Sequence, residues 1–184
     1  MTPGAAQSKI GYESYILRAH VRGITDLDEF ARNPTILAAS VSREPETAAA
    51  AYFARRDRYS VPFEGFVSFT VDGTELLGPQ LWDDVTSIWR ALVVSCQGFM
   101  SVGIGDDTLD GQPVVIRLER QGRMALLSVA GVKHVVSPNV FIPAVLEGAK
   151  EFFDWCHTVL GMPSDGQDLT SAVAQRFVSI DHAN

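Results

Sequence analysis

The 184-residue chain has no uninterrupted apolar run approaching the ~18 residues of a membrane-spanning helix, so no membrane segment is read from it. It has only two cysteines, Cys96 and Cys156, too few for a disulfide scaffold. Met1 to Ser14 lacks the apolar stretch of a secretory signal. Together these point to a cytoplasmic protein with reduced core thiols. Lysine is scarce: three Lys stand beside twelve Arg. No basic tail or stripe forms, and phosphate neutralisation needs clustered cations, so nucleic acid is excluded as a partner. The densest basic run, Arg55-Arg56-Asp57-Arg58, reads as the C-terminal end of a helix over 46–57, where cations complement the dipole.

The motifs of common chemistries are missing as well. Gly103-Ile-Gly105 lacks a third glycine and precedes acids, so no dinucleotide or phosphate loop forms. There is no Gly-x-Ser-x-Gly elbow. His20, His134, His157 and His182 have no ligand at zinc spacing. Asp106, Thr108, Asp110 and Gly111 match half of a calcium loop, but its twelfth position is Arg117 instead of Glu, so a solvated turn is expected. Asp83-Asp84 read as first-turn acids of a helix. The expectation is a chain with no metal, no cofactor and no catalytic residue. One enzyme alternative stays open: a site around Cys96 and His134, or one built from dispersed carboxylates.

What the chain does have is a core. It is 46% apolar and 20% charged, with ten Phe, and its net charge of −7 is spread over both halves. That composition is globular, not disordered. Alternation over 15–22 predicts a half-buried strand, Thr25 to Asn33 a short helix, and Phe66 to Val71 another strand. Asp72-Gly73 then marks a tight hairpin into 74–77. Leu81, Val85, Ile88, Leu92 and Cys96 form one stripe of a helix over 80–100, with Gly98 near its fraying end. Placing Gln121-Gly122 as a two-residue turn sets Ile116 opposite Leu127 and Leu118 opposite Ala125. Val132 to Val136 adds a strand. Phe141 to Leu160 is a second long helix, with Pro143 near its start and Gly161 past its end. The fold class is therefore α+β, an antiparallel sheet built from hairpins with two long helices on one face. Residues 1–11 read as a loose arm, 12–162 as one domain, and 163–184 as a linker and docking segment.

The topology of these elements gathers acids. A helix rising from residue 80 returns the 101–111 loop toward the Asp72 turn. Asp72, Glu75, Asp106, Asp107 and Asp110 then share one end, with Asp83 and Asp84 at the other. Such an end suits a basic partner. Trp155 lies beside the second helix's apolar stripe, as a cover of the core or an interface anchor. In size, acidity and layout, residues 60–160, with one helix ending Phe152-Phe-Asp-Trp155, resemble the small cytoplasmic immunity proteins that bacteria encode beside toxins. That resemblance implies protein binding and toxin neutralisation without chemistry, the partner being another protein such as a basic toxin domain. An adaptor is the closely related reading, and a homodimeric structural subunit the other alternative.

Overall fold

The computed structural model describes residues 9–18, 27–56 and 63–181, and its architecture is α+β. The first sheet is antiparallel. β1 (Ile10–Leu17) lies between β2 (Ala38–Ser40) and β3 (Glu64–Val71). β3 also pairs with β4 (Thr74–Leu77) and with the two-residue β5 (Asp83–Asp84). β1 starts earlier than its alternation predicts, because its polar first half still pairs with β3, from Ile10 opposite Val71 to Ile16 opposite Gly65. Residues 19–22 of the expected strand, His20 among them, lie outside the described residues, as do Arg58, His182 and residues 1–8 of the expected arm. At the β3–β4 hairpin, Asp72 and Gly73 both adopt positive φ, 51° and 80°, as a two-residue turn of matching twist requires.

Both faces of this sheet are covered. Tyr15, Leu17, Ala38 and Phe66 pack with Phe30 of α1 (Leu27–Arg32) on one side. Ile16, Val67 and Phe69 join the main core on the other. Residues 35–41, ambiguous in sequence, divide into α2 (Pro34–Leu37) and β2. α3 (Pro45–Arg56) follows, and its Arg55 is buried in an ion pair with Glu64 at 3.8 Å.

α4 (Val85–Val102) is the centre of the molecule, with Ile88, Trp89, Leu92, Val93 and Cys96 all sealed in the core. By length and composition it could cross a membrane, and its apolar surface is spent on the sheets and helices around it. It begins at Val85, five residues after the expected start, because Asp84 is its N-cap. The Asp84 carboxylate accepts from the Thr86 N–H at 2.8 Å and the Ser87 N–H at 3.4 Å. Nor does it fray at Gly98. It runs on to Gly103, whose φ of 82° closes the helix. Gly98 and Gly105 instead let the next strand, β6 (Ile104–Thr108), cross α4 backbone to backbone. A Cβ on Gly105 would lie 2.2 Å from the Ser95 carbonyl oxygen. The 101–111 segment is thus the end of α4, the strand β6 and a short turn, not a continuous loop.

β6 opens a second antiparallel sheet, ordered β6, β7 (Val115–Gln121), β8 (Met124–Val129) and β9 (Val132–Val136). Its register corrects the sequence reading. Ile116 pairs with Val129 and Leu118 with Leu127, and the turn is Gly122-Arg123. Gly122, at φ 62°, takes the first central turn position instead of the second. The shift is two residues, so the alternation is preserved: Ile116, Leu118, Ala125, Leu127 and Val129 still bury one face.

α5 (Pro138–Leu160) contains Pro143 and ends at Gly161, φ 67°. α6 (Asp165–Asp181) docks against α5 and α4, with Thr170 and Val173 buried and Gly166 seated against the Phe153 ring.

Candidate functional site

A cleft of about 470 Å³ lies between β1 and α5. Gly148 makes it. A Cβ there would lie 2.4 Å from the Trp89 ring and 2.9 Å from Tyr12, so only glycine lets α5 approach this closely. Trp89 is itself held by a 2.8 Å hydrogen bond from its indole N–H to the Ser14 hydroxyl. The floor is thereby fixed by three elements that are distant in sequence.

The walls mix aromatic rings and carboxylates. Tyr12, Phe152 and Trp155 supply the rings; Glu13, Glu151 and Asp154 supply the acids. The Tyr12 phenol donates to Glu151 Oε1 at 3.2 Å. Burial first, then the charges of Glu151 and Glu147, push its pKa well above the ordinary tyrosine value. Glu13 accepts from the Ser42 N–H at 3.2 Å and from the Ser42 hydroxyl, and faces Arg43 at 3.7 Å. Asp154 is held by Lys150 at 2.5 Å and by Gln167 at 2.6 Å, and these hydrogen bonds lower its pKa. Glu147 and Glu151, one helical turn apart, have no cation paired with them among the described residues. Like charges at that spacing repel, and the acids Glu13, Glu147, Glu151 and Asp154 outnumber the cations beside them, Lys150 and Arg43, so the cleft carries a net negative potential.

Trp155 is 6% exposed, which makes it a cover of the core and not a protruding anchor. Its indole N–H has no acceptor. A buried donor without a partner costs about 1–3 kcal/mol.

The acids expected at one end are distributed differently. Asp106 pairs with Arg117 at 3.5 Å, while Asp107 and Asp110 share Arg90 at 3.6 and 2.9 Å. Asp72 accepts from the Lys9 main chain at 2.7 Å, and Glu75 from Gln80 at 3.3 Å. Asp110 is not at the far end from Asp83. The Asp110 N–H donates to Ser87 Oγ at 2.9 Å, and the Gly111 N–H to Asp83 at 3.0 Å. The expected opposition fails for Asp110, because β6 carries the chain back along α4, and holds for Asp72 and Glu75, which lie at the other end of β3 from the Asp83–Asp84 pairing. The half-match to a calcium loop is likewise split between a strand and a turn. Among the described residues no three potential metal ligands cluster.

Cys96 is fully enclosed, and burial drives its thiol pKa upward; Cys156 is buried with the same shift. Activated thiols show the reverse, a lowered pKa in a polar setting. His134 lies on edge strand β9 opposite Leu127.

In sequence, Glu147, Glu151 and Asp154 lie off the apolar stripe of the 141–160 helix and mark only its solvent side. Tyr12, Ser14 and Gly148 go unread there entirely, since nothing local announces that β1 lies beside α5. Compared with known proteins, the chain matches no family model, no curated protein and no solved structure.

Proposed function

We propose that this chain is a non-catalytic protein-binding module of the immunity or adaptor type, which holds a cationic partner protein in the cytoplasm without any cofactor. The observation that carries the reading is the cleft between β1 and α5, lined by Glu13, Glu151 and Asp154 beside Tyr12, with Glu147 one helical turn from Glu151. Negative potential in a concave site raises the local concentration of a cationic partner and speeds its docking. The two enclosed thiols support binding over nucleophilic chemistry. The acids near β6 contribute less, because Arg90 and Arg117 already face them.

A second reading is favoured by one observation. β9 is an open sheet edge with Val132 and Val135 exposed, a surface on which a second copy could pair strand to strand. Lys133 lies on that edge, a residue type that discourages such pairing.

The test is affinity capture from the native lysate with the wild-type chain and with a Glu147→Lys, Glu151→Lys double variant, each washed over a salt series. The binding reading expects one basic protein, retained by the wild type, released by salt and absent from the double variant. Equal retention by both chains contradicts it. A wild-type chain that sediments as a dimer and captures nothing favours the β9 edge.

A further inference from the structure

We propose that α6 is a hinged cover: it lifts from α4 and α5 as a unit while both sheets stay folded, and its lifting bares the Cys156 thiol. The motion does not depend on what occupies the cleft between β1 and α5. Little holds α6 in place. Among its described side chains only Thr170 and Val173 are buried, with Leu169, Ala174 and Phe177 half-buried beside them. By contrast, α4 buries ten residues and α5 eleven. Segments with few buried apolar contacts open at the low end of a fold's free-energy range. Among the described residues one side-chain hydrogen bond ties α6 to α5, from Gln167 Nε2 to Asp154 Oδ1 at 2.6 Å. The bonds from Ser164 to Asp168 and from Thr170 to the Gly166 carbonyl stay local to α6.

The first turn of α6 is loosely seated and a hinge precedes it. Two clefts border that turn, of about 340 and 220 Å³, and both reach Thr86, Phe153 and Gly166. Between them Gly166 rests on the Phe153 ring, where a Cβ would lie 2.4 Å away. The Met162 N–H still bonds the Cys156 carbonyl as part of the α5 cap. Pro163 and Ser164 are left as the hinge, outside both helices and with no proline N–H to bond. Cys156 lines the smaller cleft, whose other walls include Asp165 and Gly166 of α6. It is 4% exposed, and removing those walls opens it to solvent. Cys96 is wholly enclosed and borders neither cleft, so it opens only with the whole fold. The two thiols thus report two different openings. Once lifted, a 17-residue helix is marginal in water, so its amides lose protection with it.

The experiment labels the full chain with iodoacetamide in a urea series below the global transition. Each cysteine is followed by peptide mass spectrometry and normalised to its rate in the unfolded chain. Labelling of native Cys156 is slow but about tenfold or more faster than that of Cys96, with a shallower dependence on urea, because less surface is exposed. Amides of 169–177 exchange with the same opening constant as Cys156. Ile116→Val, a change in the second sheet, raises Cys96 labelling about fivefold and leaves Cys156 unchanged, since sheet and core stay folded when α6 lifts. Gly166→Ala raises Cys156 labelling about fivefold by pressing a methyl group on the Phe153 ring, although alanine is the better helix former. Equal rates and urea slopes for the two thiols overturn the proposal, and so does an Ile116→Val variant that speeds both alike. Cys156 labelling with 169–177 still protected confines the motion to 162–166 and overturns it too. Slower or unchanged labelling in Gly166→Ala contradicts the seating on Phe153 and overturns the cover.

Discussion

The phenol of Tyr12 donates to Glu151 Oε1 at 3.2 Å, a link between β1 and α5 across 139 residues of chain. It joins an aromatic hydroxyl of the cleft to a carboxylate that makes no ion pair among the described residues. The link should be visible in the titration of Tyr12. Its pKa is raised by burial, then by Glu151 and Glu147, so Glu151→Gln brings it down toward the ordinary value. The sign for stability follows. A group whose folded pKa is raised contributes fully below its unfolded value of about 10, and that contribution is lost as pH rises through the folded value. Denaturant midpoints should therefore fall less steeply above about pH 10 in Tyr12→Phe than in the wild type. Identical alkaline slopes would contradict the raised pKa.

Gly105 is expected to tolerate no side chain. Its Cβ would meet the Ser95 carbonyl at 2.2 Å and the Gly98 Cα at 2.9 Å, main chain in both cases. Overpacking costs about 1–3 kcal/mol, and here no flexible side chain can yield, so Gly105→Ala should fall at the upper end. Thermal unfolding measures it. A loss under about 0.5 kcal/mol, the size of an ordinary surface substitution, would mean that β6 does not cross α4 this closely.

Both thiols should react slowly with a thiol reagent in the native state and quickly once unfolded. Each is buried, and burial disfavours the reactive thiolate. Rapid native labelling of Cys96 would reopen the reading in which Cys96 and His134 form a reactive pair.

Asp83 and the acids of β6 should separate in stability measurements. Asp83 is 3% exposed, and its carboxylate accepts from the Gly111 and Asp84 N–H groups. Hydrogen bonds to a buried charge are worth about 1.5–3 kcal/mol, so Asp83→Ala should unfold at clearly lower denaturant. Reversing Asp106 and Asp107 to Lys disrupts half-exposed pairs worth about 0–1 kcal/mol each, an effect that fades with salt. Equal costs for the two variants would contradict the placement of Asp83 beneath the 109–112 turn.

How much of this was legible in the sequence follows from which signals are local. Alternation identified the inner face of β7 and β8 correctly, because side-chain parity survives a two-residue slip. It could not choose between registers of equal parity; that choice rested on which turn position Gly122 occupies, and one glycine fits either. The α4 start was missed although Asp84-Val-Thr86 is a local capping signal, because Leu81 extends the apolar stripe into a short 3₁₀ turn. β6 was missed because Gly105 weakens a strand pattern, and its reason, contact with Gly98, is tertiary. The cleft was illegible altogether. Tyr12 lies at the polar end of β1 and Glu151 on the solvent side of α5, and only packing at Gly148 brings them together.

The most direct test of the central claim is amide hydrogen exchange of the chain with and without its captured partner. The account predicts protection on binding in residues 12–14, 41–42 and 147–155, the segments that form the cleft, with little change in 104–112. Protection confined to β9, or to the turn that follows β6, would place the partner elsewhere and contradict the cleft as the binding site.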